Sequence, residues 1–273
     1  MRIKISVLLV VGLISLANTA MATQKGLKFG SVAMDVPADM HRRLTPLTQY
    51  LSHIIGRPVT LKLSKNMPAA IHAISHQSVD LAYLTPVAYI RAHAGGQARL
   101  VVKTVTRGKP SFKLMIITRQ DSPIKNIQGL VGKRFAFGDP AALLQRATVV
   151  GAGMPLEKFS RYKFLGHYDN IVRAVMRRDF DAGIVKDTMA YKWQSKGIRI
   201  LYSSPDLPPY NITASRAIDD TTLEKLKQAF LSLDVTHASD RLIIKALDKK
   251  YDGFAPTSDQ EYDVVRQLIK PFK

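Results

Sequence analysis

Short runs of β-branched and aromatic residues alternate along this chain with longer stretches whose apolar positions recur every three or four residues. Residues 27–33 form the first such run and predict a strand. Residues 37–55 place Leu44, Leu47, Leu51, Ile54 and Ile55 along one helical face, and Gly56 ends that helix as a left-handed cap would. The alternation continues with a strand at 58–63, a helix at 67–76, a strand at 80–84 and a helix at 87–93 that stops at Gly95-Gly96. Strands at 99–105 and 112–118 close this portion.

After a Pro- and Gly-containing break the rhythm resumes. It predicts a short helix at 126–131, a strand at 134–137, and a helix at 141–152 stopped by Gly153 and Pro155. Next come a strand at 162–165, a helix at 170–178, a strand at 181–185, a helix at 188–194 and a strand at 198–202. Helices at 222–233 and 241–247 follow. Strands alternating with helices imply an α/β architecture of mostly parallel sheets flanked by helices. The repeat of the pattern over 124–196 predicts a second unit inserted into the first. Lobe 1 is therefore expected from 23–119 and 203–273, and lobe 2 from 120–202. The chain is expected to cross between them near 119–122 and 202–210, the latter marked by Pro205, Pro208 and Pro209. Two crossings make a hinge, with the ligand site in the cleft.

Charge and targeting signals narrow the class. Arg2 and Lys4 precede an apolar run at 7–16, and Ala20-Met21-Ala22 fits a signal-peptidase site, so residues 1–22 read as a signal peptide cleaved after Ala22. The remainder is expected to be soluble, periplasmic and monomeric. Nearly all of the +19 formal charge lies outside that segment, which favours an anionic ligand. The basic residues are spread along the chain, and export argues against nucleic acid as a partner. The chain has no cysteine, which excludes disulfides, thiolate metal sites and a cysteine nucleophile. His72 and His76 share a helical face, but Ala73 stands where a zinc protease carries its glutamate, so no metal or other cofactor is expected. No phosphate loop or nucleophile elbow is present, and an enzyme is not expected.

Several segments, in order, resemble the phosphonate/phosphite/phosphate-type periplasmic substrate-binding proteins of ABC transporters. These are Val79-Asp80-Leu81-Ala82-Tyr83-Leu84-Thr85-Pro86-Val87-Ala88-Tyr89, Phe135-Ala136-Phe137-Gly138-Asp139-Pro140 and Phe164-Leu165-Gly166-His167-Tyr168-Asp169. Ala174-Val175, Asp181-Ala182-Gly183-Ile184-Val185-Lys186-Asp187 and Gly253-Phe254-Ala255-Pro256-Thr257-Ser258-Asp259, with Tyr262 and Arg266, complete the match. The resemblance implies the two-lobed type II periplasmic-binding fold. It also implies a small anionic ligand, phosphonate-like or an organic anion, delivered to an ABC permease. A ligand sensor for a membrane histidine kinase is the alternative.

The resemblance also implies site residues. The family holds its oxyanion on a Ser-Thr-Ser run and the amides of a helix N-terminus; here those positions are Ala142, Leu143 and Leu144, so the amides remain and the hydroxyls do not. A larger or partly apolar ligand is expected in consequence. Arg146, in the same helix, is the candidate to replace the lost donors, or is an ordinary solvated residue. Asp139 contacts ligand or caps that helix. The family histidine falls on Tyr168, with His167 one place earlier. Tyr83, Thr85 and Tyr89 follow a strand into a helix, where Thr85 serves either as a contact or as an N-cap. Asp187 is likewise a contact or a cap.

Overall fold

The computed structural model describes residues 25–32 and 36–272. The expected signal peptide lies outside the described residues. Leu27–Val32 (β1), Val59–Ser64 (β2), Leu81–Leu84 (β3) and Ala98–Thr106 (β4) alternate with helices Pro37–Ile55 (α1), Met67–Ser75 (α2) and Pro86–His93 (α3). The α1 helix has the bounds its periodicity predicts. Gly56 ends it at φ 70°, donating its amide to the Ser52 carbonyl, a conformation that costs glycine little.

The chain then enters a second sheet through Leu114–Arg119 (β5). Arg134–Phe137 (β6), Leu143–Gly151 (α4), Arg161–Phe164 (β7), Tyr168–Met176 (α5), Ala182–Lys186 (β8), Asp187–Gln194 (α6) and Ile198–Ser203 (β9) follow. The expected helix at 126–131 is a single 3-10 turn, Gln128–Leu130. The chain returns through Asn211–Ser215 (β10), helices Asp220–Leu231 (α7) and Ala238–Leu247 (α8), and Tyr251–Ala255 (β11), and ends in Asp263–Ile269 (α9).

The strand orders are β11-β4-β10-β3-β1-β2 and β7-β6-β8-β5-β9. Both sheets are mixed, where mostly parallel ones were expected. β1 pairs in parallel with β2 and β3, and β6 with β7 and β8. By contrast β10 and β5, the strands that carry the chain into each sheet, run antiparallel to both neighbours. β5 shows why its sheet needs cover on both faces. Leu114 and Ile116 enter one core with Phe135 and Phe137, while Met115 and Ile117 enter another with Ile171 and Val175. In the first sheet, α1, α7 and α8 bury Leu44, Leu47, Leu226, Phe230 and Ile244 against Phe29.

Two boundaries depart from expectation. β5 is hydrogen-bonded into the second sheet, so the first crossing is residues 107–113 and not 119–122. The chain end also differs: Tyr262, Val265 and Ile269 lie in the core that holds Leu144 and Ala147. The stripe they form needs apolar partners, which α4 supplies with Leu144 and Ala147 and α3 with Tyr89 and Ile90. The main crossings, 107–113 and 204–210, run side by side and are joined by an antiparallel bridge between Phe112 and Leu207. Pro205, Pro208 and Pro209 lack the N–H that would extend this ladder.

Candidate functional site

The crossings, the β4 end and the β8–α6 junction surround a hollow of about 500 Å³. Elements of both sheets line it. Thr104 and Thr106 come from β4, Tyr210 from the second crossing, and Lys250 and Tyr251 from the β11 entry. From the second sheet come Lys186 at the end of β8, Thr188 and Lys192 in α6, and Tyr168 and Asp169 opening α5. A second hollow of about 480 Å³ shares Thr106, Arg107, Lys186, Thr188 and Lys192 with the first and adds Lys109, Ser111 and Asp187.

Lys186 is the most constrained cation here. It is half-buried, its Nζ lies 4.7 Å from the centre of the Phe112 ring, and burial lowers its pKa below that of an ordinary lysine. Among the described residues no carboxylate lies within ion-pair distance of Arg107, Lys186, Lys192 or Lys250. Asp187, beside Lys186, is engaged with backbone: it accepts from the amides of Lys113 at 3.2 Å and Thr188 at 2.7 Å. It opens α6, and the capping position is Lys186.

Three tyrosines build the wall on the first sheet. Tyr83 is buried, stacks on Tyr210 at 4.8 Å and shares a hydroxyl hydrogen bond with Tyr251. Tyr83 supports the wall while Tyr210 and Tyr251 line the hollow. Burial raises the pKa of each, and Asp139 and Asp248 raise that of Tyr210 further. The Asp139 charge is thus felt at Tyr210. Tyr168 also lines the hollow, its pKa pushed up to about 12 by burial.

Other expected contacts have partners elsewhere. Thr85 is the N-cap of α3, its Oγ1 accepting from the Ala88 amide at 3.2 Å, and its neighbour Pro86 lines the hollow. Tyr89, one turn on, does not line the hollow; it donates to Asp259 at 2.7 Å and packs on Tyr262. Asp139 does not cap α4; its Oδ1 accepts from Ala141 N at 2.7 Å in a local turn. His167 is exposed at the start of α5.

The segment matching the family's anion loop is occupied by its own side chains. Ala142 is the N-cap of α4 and offers no side-chain bond. Leu144 is buried in the second-sheet core, and Leu143 faces Ile269 and Phe272. Neither leucine lines the hollow. Arg146 donates to the Pro140 carbonyl at 3.1 Å and lies over Phe164. Gln145 is buried, its Oε1 accepts from Gly138 N at 2.8 Å, and its side chain also reaches Tyr168. The Gly138 amide is therefore already satisfied. A side chain on Gly138 would also collide with Gln145, since its Cβ would sit 2.8 Å from Gln145 Nε2.

Sequence reading did not single out Arg107, Lys186, Lys192, Tyr210 and Lys250, all of which line the hollow. Lys186 and Tyr210 carried a signal, one directly following a predicted strand and the other ending a proline-marked crossing. Among the described residues no cluster of three or more His, Asp or Glu is placed to hold a metal, and no helix is long and apolar enough to cross a membrane.

A sequence model of the family described as ABC transporter, phosphonate, periplasmic substrate-binding protein matches residues 29–262. The phosphonates-binding periplasmic protein of Escherichia coli is 24% identical over 264 residues, which cover 90% of this chain and 76% of that one. Among solved structures, a Xanthomonas citri protein bound to ATP superposes with TM-score 0.71 at 17% identity, covering 89% of this chain and 94% of that one. PhnD1 of Prochlorococcus marinus in complex with methylphosphonate gives TM-score 0.68 at 19% identity, with 91% and 98% covered. At such identities the likeness to the solved structures is one of fold: the type II periplasmic-binding fold.

Proposed function

The chain belongs to the phosphonate periplasmic substrate-binding protein family of ABC transporters, and on that premise we propose that it captures a small organic anion in the hollow between its sheets for an ABC permease. The observation that carries this reading is Lys186: a half-buried cation, with no carboxylate in ion-pair distance among the described residues, at the wall shared by both hollows. A desolvated ammonium of this kind gains most from an anionic ligand. Tyr168, Tyr210 and Met189 supply apolar surface beside it. The protein works in the periplasm once residues 1–22 are removed.

The ligand is larger than a lone oxyanion. The three aligned hydroxyl positions are Ala142, Leu143 and Leu144, and the Gly138 amide is taken by Gln145. A small hydrated anion needs several directed donors to replace its water, and each one missing costs about 1–3 kcal/mol. One protein of this fold is in complex with methylphosphonate and another is bound to ATP, so the fold does not restrict the ligand to a small phosphonate. Calorimetry against phosphate, phosphite, methylphosphonate and a panel of organic acids and phosphate esters tests this. A member of the organic panel is expected to bind most tightly. Submicromolar binding of phosphate, phosphite or methylphosphonate would contradict it.

A further inference from the structure

The cations of this site are spread over both hollows instead of being gathered at one point. Arg107, Lys186 and Lys192 form the wall common to the two; Lys109 extends the charge into one hollow and Lys250 into the other. The acids facing them are Asp187 on one side and Asp169 and Asp248 on the other. Asp187 is committed to two backbone amides, and Asp248 accepts from the Lys250 amide at 2.8 Å. Five cations therefore face three carboxylates, two of which are already hydrogen-bonded to backbone.

Arg107 is held at its position. It occupies the left-handed region at φ 53°, next to Gly108 at φ 70°, in a two-residue turn closed by reciprocal Thr106–Lys109 backbone bonds. Such a turn favours asparagine or glycine, and arginine there is strained. The turn is tied to β11 by the Gly108 amide, which donates to Asp252 at 3.1 Å. Arg107 thus projects from the first sheet's side, and Lys186 and Lys192 from the second's. Mutual repulsion among these unpaired charges is relieved by a ligand whose own charge is distributed over the same span.

We propose that the ligand carries at least two separated anionic groups, in the manner of an organic diphosphate or triphosphate, one held at Lys186 and Lys250 and the next at Arg107, Lys109 and Lys192. This rests on the hollow being the ligand site. A single phosphonate would reach one part of the array and leave the remaining cations unpaired. A ligand of this class would draw Arg107 toward Lys192 and so close the sheets on itself.

Inorganic probes isolate the charge requirement. Phosphate, methylphosphonate, pyrophosphate and tripolyphosphate would be titrated calorimetrically into the wild-type protein, Lys186→Gln and Arg107→Gln, with a thermal melt of each variant to establish that it is folded. Tripolyphosphate is expected to bind at least tenfold more tightly than phosphate or methylphosphonate, and to lose tenfold or more in each variant. Phosphate or methylphosphonate binding equally well and still depending on Lys186 would overturn the polyanion class and leave the hollow as the site. Tripolyphosphate binding indifferent to both substitutions would overturn both. Absence of binding by all four probes would overturn the polyanion class, leaving the hollow to be judged with the organic acids.

Discussion

Phe112 and Leu207 exchange a reciprocal pair of backbone hydrogen bonds, 3.0 Å from the Phe112 amide and 2.8 Å from the Leu207 amide. This is the bridge between the two main segments that join the sheets, and prolines at 205, 208 and 209 keep it short. A ladder of one bridge twists with little loss of hydrogen bonding, while each sheet stays intact. Phe112 also carries Lys186 over its ring, so the hinge and the candidate site share a residue.

The hinge predicts motion. Saturating the protein with its tightest-binding anion shifts an open–closed equilibrium toward the closed form. Small-angle scattering is expected to show a smaller radius of gyration in the bound sample. An unchanged profile at saturation would count against closure about this bridge.

The tyrosine wall separates stability from binding. Tyr83→Phe removes the hydroxyl partner of buried Tyr251, at a cost of about 1 kcal/mol, because Thr104 still reaches Tyr251. Tyr210→Ala removes a ring that lines the hollow and is expected to weaken ligand binding tenfold or more. Denaturant titration and calorimetry on the two variants read these effects apart. Equal effects of both variants on both measurements would refute the division.

Acid stability of the second sheet is expected to depend on Asp181. Arg134 holds its carboxylate through Nε at 3.0 Å, Nη2 at 2.9 Å and its own amide at 2.8 Å, which lowers the Asp181 pKa. A depressed carboxyl pKa contributes stability above the unfolded value of about 4 and loses it as pH falls through the folded value. Asp181→Asn is expected to cost about 1–2 kcal/mol at neutral pH, since the pair is partly exposed. The difference from wild type should shrink in acid, and a constant difference across the acid range would contradict the assignment.

Lys186 gives binding its own pH dependence. Burial lowers its pKa in the free protein, and a bound anion would raise it again. Affinity is therefore expected to fall as pH rises toward the lysine range, earlier than for an exposed lysine, with a proton taken up on binding. Calorimetry from neutral pH up into the lysine range, in two buffers of different ionisation enthalpy, measures that uptake. No uptake in wild type, or the same uptake in Lys186→Gln, would contradict it.

The helices that bury one face were legible because their apolar period states which side faces the core; α1 has the bounds its sequence predicts. β10 was not read as a strand because Asn211, Thr213 and Ser215 are polar yet fully buried, with Thr213 donating to Asn211 at 2.7 Å. No local pattern distinguishes such a strand from a loop. The lining of the candidate site was partly legible. Tyr83, Tyr168 and Asp187 lie in or beside the wall of the hollows, but Tyr89 follows its helix phase toward Asp259. Leu143 and Leu144 read as ligand-facing by alignment and turn out to be packing residues. Arg107 and Lys250 sit at turns brought together only by the fold, so their spacing carries no signal.

An anion is expected to sit on Lys186 in the hollow between the sheets. The most direct measurement compares the affinity of wild type, Lys186→Gln and Lys225→Gln for the tightest-binding anion of the calorimetric panel. Lys225 lines a separate pocket with Arg57 and Asp219 and serves as the charge-matched control. A charged hydrogen bond contributes about 1.5–3 kcal/mol, so Lys186→Gln is expected to lose roughly 10–150-fold in affinity while Lys225→Gln stays at the wild-type value. Equal affinities in all three proteins, or a loss confined to Lys225→Gln, would contradict the account.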